Sequence, residues 1–247
     1  MNWDEVFCHT FKAIRQQIGQ EAANQVDFML PSMPMVNACR ADDFDFFQPL
    51  IAAGKLTTDQ MHHATQRYHL GQSKSGQPIF WLIDDLHQPL DGLIMPGTWI
   101  SVLLKQREPV LSYWHAQHCL FGLHLIAVEE GTKPVCLVEH PASAVLLSEL
   151  FPDALWLSTM PHACFSIDLL KPLQGHPIRV FPNTDEVMTN YVCWLDLCDV
   201  ARRTYHLDIS CSSYLEDHAS PDQMHREIDL LTFYIESLEN SAAKPLE

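Results

Sequence analysis

The sequence predicts an α/β protein in which a helical and β-rich N-terminal portion, residues 1–125, leads into a mainly parallel sheet covered by helices, residues 126–240. Three observations carry this expectation. From Lys133 onward, short apolar runs alternate with amphipathic stretches, the pattern of a parallel sheet with helical crossovers. Between Pro78 and Met95, two apolar runs flank a polar turn and read as an antiparallel pair. Several helix starts carry a hydroxyl cap or an early proline.

In chain order, Asp4–Ile18 reads as an amphipathic helix with Val6, Phe7, Phe11, Ile14 and Ile18 on one face. Phe28–Val36 is apolar but contains Pro31 and Pro34, which predicts an extended segment. Phe44–Ala52 and Thr58–Tyr68 read as short helices, the second capped by Thr58 with Met61, Ala64 and Tyr68 inward. Pro78–Asp84 and Gly92–Met95 are expected strands around a turn at Asp85–Gln88, with Trp99–Leu104 as a third.

Beyond Lys133 the expected order is strand Pro134–Glu139, helix Ala142–Phe151, strand Ala154–Ser158, short helix Ile167–Leu173 and strand Pro177–Phe181. A long helix Asp185–Tyr205, strand His206–Ser210 and a last helix Pro221–Leu238 follow, with a frayed tail at 241–247. Ser220-Pro221-Asp222-Gln223 combines a cap, a first-turn proline and a capping-box partner.

Composition narrows the functional classes. Fifteen Lys and Arg face thirty-one Asp and Glu, a formal charge of −16, so the average field repels polyanions and any nucleic-acid surface must be local. No run approaches the roughly 20 apolar residues of a membrane helix, and the charged N-terminus is no signal peptide, which predicts a cytoplasmic protein without a membrane partner. The eight cysteines are scattered and lack a Cys-x-x-Cys pair, as expected of reduced thiols.

Ligands of open parallel sheets gather at the carboxyl ends of the strands. That rule points to Glu139 and His140, to Ser158 and Thr159, and to Asn183–Glu186. Carboxylates there suit Mg²⁺ or general acid/base work. Asp185 and Glu186 read equally well as the favourable negative start of a helix.

Three segments carry a resemblance. Val135-Cys-Leu-Val-Glu-His-Pro-Ala-Ser-Ala144, Ala154-Leu-Trp-Leu-Ser158 and Ile178-Arg-Val-Phe-Pro-Asn-Thr-Asp185 together resemble a toprim domain, with its Rossmann-type sheet. The chain is more closely similar to a toprim-like family of bacterial proteins found largely on conjugative and other mobile elements. Tyr68-His-Leu-Gly-Gln-Ser-Lys74 matches that family's Tyr-Arg-x-Gly-Thr-Ser-Lys pattern, and Ile79-Phe-Trp-Leu-Ile-Asp84 its Phe-Trp-Gln-Ile-Asp strand. Gly92-Leu-Ile-Met95 and Phe121-Gly-Leu-His124 match two later blocks, so the likeness spans about Phe44 to Tyr205.

The resemblance implies that Glu139 is the acid/base and that Asn183 and Asp185 occupy the Asp-x-Asp positions that bind Mg²⁺. It also implies nucleic acid, or replication and conjugation proteins, as partners, with Lys74 and Arg179 as candidate nucleic-acid contacts. The departures run one way. An amide, Asn183, replaces the first aspartate, and Glu139-His140-Pro141 lacks the second acid of the usual turn. Leu90-Asp91-Gly92-Leu93 lacks two cations, Leu123 replaces a glutamate, and no Cys-rich zinc module precedes the domain. Each loss weakens a complex of metal and phosphate. The expectation is a non-catalytic or weakly active accessory protein, and the alternative is a Mg²⁺-dependent primase- or nuclease-type enzyme.

Other constellations have plainer readings. His115-x-x-His118-Cys119, with His124, offers imidazole and thiolate to zinc, but Cys119 opens an apolar run and ordinary packing accounts for it. Cys164 beside His162 lacks the signs of an activated thiol. Gly71-x-Ser-x-Ser-Gly76 reads as a turn, and Tyr68, Phe80 and Trp81 as buried aromatics more than base-stacking platforms.

Overall fold

The computed structural model describes residues 31–100, 119–129, 133–160 and 165–242. The chain divides after Leu30, and all described residues belong to the unit Pro31–Glu247. The helix expected over Asp4–Ile18 lies outside them.

Helix α1, Met33–Ala38, forms where an extended segment was expected, because Pro34 sits in the first turn, where a missing N–H breaks no intrahelical bond. A 3₁₀ turn at Asp45–Phe47 runs into α2, Gln48–Ala52, and α3 spans Thr58–Arg67. Its cap is Thr57, one residue before the expected Thr58. Gln60 then falls at the third helical position, its Oε1 accepting from Thr57 N at 3.0 Å while Gln60 N donates to Thr57 Oγ1.

Strands β1 (Gly71–Gln72), β2 (Pro78–Ile83), β3 (Pro89–Ile94) and β4 (Thr98–Trp99) form an antiparallel sheet in that order. The third expected strand is thus only Thr98–Trp99, and positions 101–104 lie outside the described residues. Strand β2 is apolar throughout because both faces are covered. Phe80 and Leu82 join the main core, while Ile79, Trp81 and Ile83 pack with Val36 of α1, Ile94 and Ile100. Trp81 pairs with Gly92 across the ladder, and a Cβ at Gly92 would lie 2.7 Å from the indole ring.

The second sheet holds β5 (Val135–Val138), β6 (Leu155–Ser158), β7 (Ile178–Val180) and β8 (Ile209–Cys211), all parallel, in the order β6-β5-β7-β8. Helix α4, Pro141–Leu150, links β5 to β6, a 3₁₀ segment Ile167–Leu173 lies between β6 and β7, and α5, Thr189–Tyr205, links β7 to β8. The described part of the chain is therefore mixed α/β, with the parallel sheet C-terminal to the antiparallel one.

Three short helices close the chain: α6 (Tyr214–His218), α7 (Pro221–His225) and α8 (Leu230–Ala242). The single helix expected over Pro221–Leu238 is therefore broken. Glu227 turns to positive φ (51°), Ile228 O accepts from Thr184 N, and Asp229 Oδ1 accepts from Thr232 N near the start of α8. Ser241 and Ala242, expected in the tail, belong to α8, and 243–247 lie outside the described residues.

One hydrophobic core runs beneath both sheets. Phe121 exchanges both backbone hydrogen bonds with Ser158 at the open edge of β6, at 2.9 and 3.1 Å. Its ring stacks on Tyr68 and meets Phe80 edge-on, and the Tyr68 hydroxyl donates to Trp156 O at 2.7 Å.

Because the Trp81 indole fills the space above Gly92, Gly92→Ala is expected to destabilise the protein by about 1–3 kcal/mol through overpacking. Urea denaturation followed by tryptophan fluorescence measures this, and unchanged stability would contradict the packing described.

Candidate functional site

The carboxyl ends of β5, β7 and β8 bring together the acids and amides of the candidate site. Glu139 directly follows β5, and its position is held from behind. Ser158 Oγ, at the end of neighbouring β6, donates to Glu139 O at 2.6 Å, and the same oxygen accepts from Met160 N at 2.9 Å. The Glu139 side chain turns toward β7, where its Oε1 accepts from Asn183 N at 3.3 Å. The end of β5 and the segment after β7 are thus tied together at Glu139 and Asn183.

Asp185 is buried and committed to the main chain. Its Oδ1 accepts from Val187 N and Thr189 N at 2.9 and 3.0 Å, and its Oδ2 accepts from Asn190 N at 2.7 Å. It therefore acts as the cap of α5, which starts at Thr189 and not at Asp185 as expected. Met188, at φ 59°, makes the turn between them. Burial alone would push the Asp185 carboxyl up, but the N–H groups of Asn190, Thr189, Val187 and Met188 outweigh it and hold it below the usual value.

Sequence reasoning missed Glu216. It lies on α6, just past the end of β8, and its only sequence signal is that position beyond a strand's carboxyl end. Burial pushes its carboxyl up, and the charges of Asp185 and Asp217 add to the effect. The nearby Thr184 hydroxyl eases the shift without reaching hydrogen-bond geometry. Asn183 Oδ1, Thr184 Oγ1 and Glu216 Oε2 are all buried without a hydrogen-bond partner. Thr184 Oγ1 can donate or accept, whereas the Asn183 and Glu216 oxygens are acceptors whose natural complement is a hydrogen-bond donor or a cation.

The donors do not fit a divalent cation caged by the protein. Asp185 spends both oxygens on its helix, Asn183 is neutral, and among the described residues no group of three or more His, Cys, Asp or Glu side chains is gathered for a metal as it stands. Mg²⁺ here would depend on Glu139, Asn183 Oδ1 and oxygens from elsewhere.

The candidate cations make no bond to these acids. Lys74 is exposed in the turn between β1 and β2, the turn expected over Gly71–Gly76, and Arg179 is exposed in the middle of β7. Among the described residues no hydrogen bond or ion pair ties either to Glu139 or Asp185. Lys171 is engaged with Asp168 at 3.0 Å and with the Tyr205 ring. Tyr68, Phe80 and Trp81 are fully buried and present no ring to a base. His115, His118, His162 and Cys164 lie outside the described residues, and no described helix is long and apolar enough to cross a membrane.

An α/β unit with a polar crevice at the ends of its parallel strands is the class that this geometry defines. The chain belongs to the family described as a domain of unknown function, DUF6371, whose model matches residues 45–184, more than half of the sequence. The match runs from the 3₁₀ turn before α2 to Thr184, so it includes Glu139 and Asn183 and stops short of Asp185 and Glu216. No curated protein matches the chain.

Two substitutions separate the roles of the acids. Asp185→Ala is expected to cost about 0.5–2 kcal/mol at neutral pH, the usual loss for a helix cap. The folded-state value of Asp185 is depressed, so its stabilisation is present above the ordinary aspartate range and is lost as pH falls through the lower folded value. The gap between wild type and variant should therefore narrow in acid. Glu216→Gln should raise the thermal midpoint at neutral pH, because the raised carboxyl penalises the fold only where it is ionised, and the gain should vanish below the ordinary glutamate range. Thermal scans of both variants across pH 3–8, on the order of that range, check the two signs.

Proposed function

We propose that this is a toprim-like protein of a mobile genetic element, non-catalytic or weakly active, that serves nucleic-acid processing as an accessory component through protein partners. The reading rests on the resemblance together with the placement of Glu139 and Asn183 in one crevice at neighbouring strand ends. The observation that carries the non-catalytic part is the state of Asp185. A metal-binding aspartate must offer lone pairs to the ion, and here both oxygens are engaged by three main-chain donors of its own chain. The preceding Asn183 contributes no charge, so the segment after β7 lacks the pair of free carboxylates that helps Mg²⁺ hold phosphates.

The overall charge of −16 supports action through protein partners over direct contact with a polyanion. Lys74 and Arg179 are exposed and make no ion pair with Glu139 or Asp185 among the described residues, which supports the same reading. The second reading, a Mg²⁺-dependent primase- or nuclease-type enzyme, draws on the buried, unpartnered Asn183 Oδ1, on a residue whose main-chain N–H reaches Glu139 Oε1.

Titration of Mg²⁺ or Mn²⁺ with thermal stability as readout separates the two. The proposal expects no saturable shift up to about 10 mM metal, since binding with a dissociation constant 100-fold lower would add about 2.7 kcal/mol. A shift that Glu139→Gln or Asp185→Asn abolishes would establish the enzyme reading instead. In parallel, single-stranded DNA should bind weakly or not at all at low salt, and tight salt-dependent binding would overturn action through protein partners.

A further inference from the structure

A 3₁₀ turn, Leu123–Ala127, packs against β2 of the antiparallel sheet and against β6 of the parallel one. His124 belongs to this turn and is 1% exposed. His69, which follows α3, and His87, in the turn between β2 and β3, come to it from two further elements. The His69 and His124 ring centroids are 5.3 Å apart, and the His87 ring lies 6.1 Å from His124. Three titratable rings from three elements therefore meet at the junction of the sheets.

The surroundings of these rings accept no added proton. His124 Nε2 lies 3.0 Å from Arg67 O, which can only accept, so Nε2 carries the proton of the neutral ring. A second proton must go to Nδ1, which is buried without a hydrogen-bond partner. His69 Nδ1 is buried without a partner as well. A charge created out of water, with no acceptor for its N–H, bears its full desolvation cost.

The charged neighbours do not offset that cost. Arg67, at the end of α3, and Arg40 repel a second cation here. Glu129 is occupied by Arg67 at 2.6 Å and by Lys133 at 2.9 Å. Asp84 Oδ1 accepts from Leu86 N and Gln88 N in the hairpin turn. Burial raises the Cys119 thiol, with Asp84 and Asp85 adding to the effect, so that group stays uncharged. Among the described residues, none of these three acids hydrogen-bonds or ion-pairs with an imidazole of the cluster. Burial accordingly holds His124 down at about 4 despite the Arg67 carbonyl, and His69, His87 and Arg67 lower it further. His69 is lowered by burial, then by Arg40 and His87.

We propose that the cluster of His69, His87 and His124 is an acid-sensitive joint between the two sheets, closed while the imidazoles are neutral and weakened when they take up protons. The sign follows from linkage. The unfolded chain protonates His124 in the ordinary range near 6.5, whereas the folded chain does so only at about 4. Between those values the unfolded state binds more protons, so stability falls as pH drops through that window. The 3₁₀ turn, the end of α3 and the hairpin turn are the parts that loosen, ahead of β5 and β7. The joint is independent of the reading given to Glu139 and Asp185.

Urea denaturation of the full-length protein from about pH 7.5 to about pH 5.5 tests this, above the range where ordinary carboxylates titrate. His124 alone should raise the unfolding equilibrium constant about tenfold over that interval. His124→Gln keeps an amide N–H for Arg67 O but cannot titrate, and it should abolish most of this dependence. Hydrogen exchange, corrected for its intrinsic pH dependence, should quicken in acid at Leu125 and Val128 of the wild type before it does in β5. A wild-type stability that is flat across the interval, or a loss that His124→Gln leaves unchanged, would overturn the proposal. So would exchange that quickens equally in all elements. His69→Gln should reduce the dependence in the same direction, and it decides the matter if His124→Gln does not fold.

Discussion

The two sheets are joined by a small set of buried polar bonds around Phe121, and the candidate crevice depends on them. Phe121 completes the backbone of Ser158 at the edge of β6, and Tyr68 satisfies Trp156 O with its hydroxyl. Removed from water, these main-chain groups would each be left unpaired at the cost of a lost hydrogen bond. The constraint is carried onward. Ser158 Oγ grips the carbonyl of Glu139, and Glu139 in turn accepts from the main chain of Asn183. The side-chain position at the crevice is thus set by packing some strands away.

Within the crevice, the acids are used for architecture. Asp185 stops the chain from beginning α5 early and takes up its unpaired N–H groups. Asp229 does the same at α8, while its Oδ2 accepts from Ser143 Oγ on α4. A carboxylate saturated by N–H donors is ionised and stable, but it has little left for a metal. Glu216 is the opposite case, a half-buried acid held near Asp185 with one oxygen unpartnered. Its tension with Asp185 is the one electrostatic feature of the crevice that favours a visiting donor.

Much of the α/β order was legible because it rests on local chemistry. The apolar runs of β2, β5 and β6 and the capping box at Ser220 depend only on near neighbours in sequence. Legibility failed where a distant partner intervened. Pro31 and Pro34 suggested extended chain, yet a proline in the first turn of α1 leaves every helical bond in place. The periodicity of Pro221–Leu238 suggested one helix, but Thr184 and Ser143, far away in sequence, draw Ile228 and Asp229 out of it. Of the site, Glu139 and Asn183 could be placed at strand ends from their motifs. Glu216 could not, because nothing local marks it. The grouping of His69, His87 and His124 joins three elements separated by up to 55 residues, so no spacing reveals it.

By itself, the sequence determined the alternation of strands and helices, the parallel sheet in the C-terminal part and the strand ends where polar residues collect, because hydrophobic period and capping are short-range properties. Only the tertiary structure decided that Asp185 serves its own helix, that Glu216 comes near Asp185 and that His69 and His87 both pack against His124. Those facts depend on which buried donors and acceptors find partners across the fold, and a linear pattern does not contain that pairing.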